Sequence, residues 1–67
     1  MQIVLNGESV VLNDETSTIA ALIKQLQLTG KRIAVEINEE IVPRSAHANT
    51  PLHEGDKVEI VHAIVGG

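Results

Sequence analysis

The residues of this chain that could do chemistry are few. It ends Ala63-Ile64-Val65-Gly66-Gly67. A glycine in last place leaves its carboxylate with no side chain to block attack, and a Gly-Gly segment can enter a slot too narrow for a Cβ. At about 3.3 Å per extended residue, Ile64 to Gly67 spans roughly 13 Å, enough to reach into the active site of another protein. Taken alone, a double glycine is also a common frayed ending. His47, His53 and His62 raise the question of a metal, but they lack the i, i+4 helical pair or the cysteine partners of a zinc site. They read as solvated or partner-facing, so no metal is expected. Glu39 and Glu40 are neighbours, and neighbours on a strand point to opposite faces, so they do not make an acid–base pair. Ser17 and Ser45 have no base arranged to activate them. No side chain is expected to act as a catalyst.

Composition narrows the classes further. The chain has 67 residues, 43% of them hydrophobic, which suits one small folded domain. Surface scaling leaves roughly 4,100 Å² exposed out of about 10,400 Å² for the unfolded chain, a core without surplus for a deep pocket. There is no Phe, Trp or Tyr to stack on bases. Five Lys and Arg against nine Asp and Glu give a net charge of −4, with no basic run longer than Lys31-Arg32. Nucleic acid is therefore disfavoured as a partner. No apolar run approaches the roughly 20 residues that span a bilayer, and the first residues, Met1-Gln2-Ile3-Val4-Leu5-Asn6, do not read as a leader. The absence of cysteine excludes disulfides and a thiol nucleophile, and suits a cytoplasmic protein.

The elements that must position the tail follow from periodicity. Ile3-Val4-Leu5 and Ser9-Val10-Val11-Leu12 flank Asn6-Gly7, the pair best suited to a type I′ hairpin turn. Ile19, Leu22, Ile23 and Leu26 recur at i, i+3, i+4 and i+7, which predicts one helix, capped by Thr18 or Ser17 and stopped at Gly30. Ile33, Val35 and Ile37 alternate as a strand, and Asn38-Glu39 turns into a short strand Glu40-Ile41-Val42 that Pro43 ends. Arg44 to Glu54 predicts a loop with one helical turn that carries Leu52 inward, and Gly55-Asp56 turns into a last strand from about Lys57 to Ala63. One helix against one face of a mixed sheet of four to five strands is an α+β fold of the ubiquitin-like β-grasp kind. The domain would cover 1–63, with 64–67 as a flexible C-terminal tail. The predicted core is Ile3, Leu5, Val10, Leu12, Leu22, Ile23, Leu26, Val35, Ile37, Val58 and Ile60. Val4, Val11, Val61, Ala34 and Ala63 should face away from the helix, where a gathered apolar patch would mark a partner site.

Over its whole length the chain resembles the ThiS family, the sulfur carriers of thiamine (thiazole) biosynthesis and relatives of ubiquitin. The residues that carry the likeness are Met1-Gln2-Ile3, the Thr18-Ile19 to Leu26 helix, Ile33-Ala34-Val35-Glu36-Ile37-Asn38, Ile41-Val42-Pro43-Arg44, Gly55 to Val61 and Gly66-Gly67. Many family members have an aromatic residue shortly after that arginine, where this chain has Ser45-Ala46-His47. The resemblance implies a carrier cycle. A ThiF-like adenylating enzyme would use MgATP to make an acyl adenylate at Gly67. A cysteine desulfurase or other persulfide donor would convert it to a thiocarboxylate, and a ThiG-like thiazole synthase would take the sulfur. Val65, Gly66 and Gly67 form the working tail, and Gly67 is substrate rather than catalyst. The chain itself would bind no cofactor. Val4, Val11, Arg44, Val61 and Ala63 are the candidate docking residues, with Arg44 meeting an acidic group of a partner. The alternatives are a carrier of the molybdopterin-synthase small-subunit type, or a ubiquitin-like protein modifier.

Overall fold

Asn6 and Gly7 take the left-handed conformations that a type I′ turn demands, with φ of 49° and 84°. They join β1 (Gln2–Leu5) to β2 (Glu8–Val11) in antiparallel register, with Ile3 opposite Val10. In the computed structural model, which describes residues 1–62, these strands are followed by α1 (Ile19–Gln25), β3 (Ile33–Ile37), β4 (Glu40–Val42), a 3₁₀ segment (Arg44–Asn49) and β5 (Lys57–His62). Among the described residues one sheet of five strands forms in the order β2-β1-β5-β3-β4. β1 and β5 are parallel neighbours at its centre, and the other pairings are antiparallel. The expected single helix on a mixed β-grasp sheet is what the chain builds.

The helix starts where expected. Thr18 is extended and its hydroxyl accepts the Ala21 amide at 3.2 Å, which satisfies one of the unpaired first-turn donors. Its end differs from the expectation. Leu26 is the C-cap, not a core residue, and is 37% exposed. Gln27 then turns left-handed at φ 61°, and its amide bonds Lys24 O while the Leu28 amide bonds Ile23 O, each at 3.0 Å. This is a Schellman closure made by glutamine. It swings the chain so that Leu28, rather than Leu26, packs on the core. Gly30 (φ 81°) serves the next turn, closed by the Lys31 amide on Leu28 O.

The core between helix and sheet comprises Ile3, Leu12, Ile19, Leu22, Ile23, Val35, Val42, Leu52, Val58 and Ile60. Leu5, Val10 and Ile37, expected within it, are half-buried and pack against its margin. Each occupies a strand end or the β2 edge, where the seven-residue helix reaches less far. Leu52 does turn inward. Its amide bonds Ser17 O at 2.8 Å, and the Ile19 amide bonds Thr50 O at 3.1 Å, so the loop after the 3₁₀ segment is tied to the start of α1. Buried Thr16 is satisfied by Asn13 Oδ1 (3.0 Å) and by the Gln25 amide group.

Candidate functional site

β5 is the strand that leads to residues 63–67, and its two halves are held differently. At its start it is clasped on both sides, with Val58 opposite Leu5 of β1 and Ile37 of β3. Two asparagines anchor the strand, one at its start and one past its middle. Asn38 Oδ1 accepts the Lys57 amide at 3.0 Å, and Asn38 Nδ2 reaches Asp56 Oδ1 at 3.1 Å. Asn6, already in the hairpin turn, uses its side-chain amide as an extra strand residue. Its Oδ1 accepts the Ile60 amide at 2.9 Å and its Nδ2 donates to Ile60 O at 3.1 Å. The β1 ladder ends there. Val61 and His62 are paired only with Ala34 and Ile33 of β3. Backbone groups on a strand repeat their direction every second residue, so the His62 amide and carbonyl point to the edge that Ile60 offers to Asn6.

On the sheet face away from α1, Val61 lies opposite Ala34, and both are exposed. Glu36 and Glu59 sit opposite each other on the same face, and Ile41, 78% exposed, is the register partner of Glu36. Val4 and Val11 occupy the far part of that face. Val4 lies opposite Lys57 and Ser9, and 77%-exposed Val11 lies opposite Gln2. Val4 is thus four strand residues, or about 13 Å, from Val61. The expected apolar residues form two groups separated by Lys57, Glu59 and Glu36, rather than one patch. Ile41 was not singled out by the sequence, although its alternation with buried Val42 carried a weak signal. Ala63, Val65, Gly66 and Gly67 lie outside the described residues.

Arg44 opens the 3₁₀ segment just after Pro43 and is exposed. It is not on the Val61 face. It lines a notch on the helix side together with Lys31 and His47, against Ile23, Leu28 and Ile33. His47 is fixed by a 3.2 Å hydrogen bond from Nε2 to Val42 O. Since Ile33 is the register partner of His62, the notch adjoins the place where the chain leaves the sheet. Among the described residues, no three His, Cys, Asp or Glu side chains converge as metal ligands would. His53 faces Asp56 at 3.8 Å, far from His47 in its role and partners. A second, open groove of about 500 Å³ runs along β4 beside Pro43, Pro51 and His53. No helix among the described residues is long and apolar enough to cross a membrane.

Comparison with known proteins agrees with this geometry. The ThiS family model matches residues 2–67. A sulfur carrier protein ThiS of Bacillus subtilis is 38% identical over 63 residues, covering 94% of this chain and 96% of that protein. A thiazole synthase of Paramagnetospirillum magneticum is 42% identical over all 67 residues. The chain spans only 20% of that relative's length. The crystal structure of a thiamine biosynthesis protein (ThiS) from Geobacter metallireducens superposes with a TM-score of 0.85 at 28% identity, with both chains fully covered.

Proposed function

The chain belongs to the ThiS family, and from that premise we propose that it is a sulfur carrier of thiamine biosynthesis, working through the carboxylate of Gly67. The observation that carries this reading is the near end-to-end match to a sulfur carrier protein, in a chain whose central strand β5 is followed in sequence by Gly66-Gly67. A carboxylate is a poor electrophile. A ThiF-type adenylating enzyme lets it attack the α-phosphorus of MgATP, which releases pyrophosphate and forms a mixed anhydride whose AMP is the next leaving group. The terminal sulfur of a persulfide, supplied by a cysteine desulfurase or similar donor, then attacks the acyl carbon and AMP departs. Thiol cleavage of the resulting S–S bond leaves the thiocarboxylate. A ThiG-type synthase draws on that sulfur for the thiazole ring. The match of this chain to one fifth of a thiazole synthase supports the last partnership, because there a carrier-like stretch and a synthase share one polypeptide.

The chain's own part is to bind, orient and present. On this reading the protein is a co-substrate of its cytoplasmic partners, and Gly67 is the group they act on. Val61 and Ala34 form an apolar step beside the exit of the tail, and Ile41 extends it across β4. A partner that draws residues 63–67 into its active site must cover that step, which buries its apolar surface. The experiment is an intact-mass measurement after incubation with ATP, a ThiF-type enzyme and a persulfide donor. Replacement of one oxygen by sulfur at Gly67 is expected. Deletion of Gly67 should abolish the exchange and leave the melting temperature unchanged. An unmodified wild-type mass with both thiazole-type and molybdopterin-type activating enzymes would overturn the reading.

A further inference from the structure

We propose that the notch lined by Lys31, Arg44 and His47 is the seat for an acidic side chain at the mouth of the enzyme that takes residues 63–67. The inference rests on the carrier reading above and adds the chemistry of the partner surface. The notch has a volume of about 180 Å³, with Ile23, Leu28 and Ile33 in its wall. No Asp or Glu lines it, although the chain holds nine of them against five Lys and Arg. Among the described residues the one contact within 4 Å between a basic and an acidic side chain is His53–Asp56, so Lys31 and Arg44 have no carboxylate partner there. Two of the five cations of a net-negative chain thus line this one notch.

That end is the one from which the chain departs. His62 lies opposite Ile33, and Ile33 is part of the notch wall. An active site that accepts residues 63–67 must therefore bring its rim over the notch. A carboxylate standing beside aliphatic groups matches the lining, in which the basic Lys31 and Arg44 accompany the apolar Ile23, Leu28 and Ile33. Arg44 can hold such a carboxylate through two parallel N–H donors. On the outer sheet face the facing Glu36 and Glu59 bring the opposite sign, with Lys57 further from the exit along β5. Two surfaces of opposite charge on either side of the tail exit fix the rotation of the carrier about its tail. They also steer encounter over roughly the 8 Å Debye length of physiological salt.

The test uses the full chain and a ThiF-type adenylating enzyme, with association followed by stopped flow. Arg44→Glu and Lys31→Glu should each lower the association rate constant about tenfold at low salt, and the difference should shrink below about twofold near 0.5 M salt. Lys24→Glu makes the same change of charge on the exposed side of α1 and should alter the rate less than about twofold. Circular dichroism confirms that each variant folds, and either notch variant alone suffices. Equal slowing by Lys24→Glu, or no slowing by the notch variants while wild type is adenylated, overturns the notch proposal only. A wild-type chain that is never adenylated overturns the carrier reading with it.

Discussion

Ile60 and Val61 are adjacent in the same strand and meet opposite fates. Ile60 is 7% exposed, faces α1, and is held on one side by Asn6 and on the other by the β3 ladder. Val61 is 57% exposed, faces away from the helix and is paired on one side only. The alternation of a strand makes this difference inevitable, but the loss of the second pairing does not follow from alternation. It follows from where β1 turns. The contrast teaches that burial and exposure are separated here by a single residue step, with the core taking one face of β5 and leaving the other open.

Variants can break that separation or sharpen it. The largest effect on stability should come from Ile60→Ala, which empties part of the core and should cost about 2–4 kcal/mol in chemical denaturation. Sulfur loading measured well below the melting transition should persist in this variant. Val61→Asp inverts the pattern. Its unfolding free energy should change by less than about 1 kcal/mol, while kcat/KM for adenylation by the partner should fall about tenfold, or about 1.4 kcal/mol. Normal adenylation of Val61→Asp would remove this face from the docking surface. The smallest effect should come from Asn6→Gly, which keeps the left-handed turn but deletes the two side-chain hydrogen bonds to Ile60. It should cost about 1 kcal/mol, and hydrogen exchange at the Ile60 amide should accelerate more than at the Val58 amide.

Much of this was legible beforehand. Asn6-Gly7 named its own turn because few residue pairs tolerate positive φ twice. The helix face was legible at Ile19, Leu22 and Ile23. It failed at Leu26 because Gln27, not Gly30, takes the left-handed position, and no propensity singles out a glutamine for that role. The β4 strand has only three residues, too few for alternation to assign Ile41 a face. Asn6 as a rung of the β5 ladder was invisible, since its partner Ile60 lies 54 residues away. The notch was hidden for the same reason. Lys31 follows the helix, whereas Arg44 and His47 belong to the 3₁₀ segment, and only packing brings them together. Gly67 lies outside the described residues, and its proposed role rests on its chemistry and on the family match.

The parallel pairing of β1 with β5 places Val4 beside Lys57, nearly the longest separation the described chain allows. Loops of that size close slowly, and a contact that spans the chain forms late. A ribosome delivers β5 after every strand it pairs with. Until it arrives, the sheet lacks its centre, and β1 and β3 have no common neighbour. Neither Val61 on its face nor Ile33 beside His62 is in place before then.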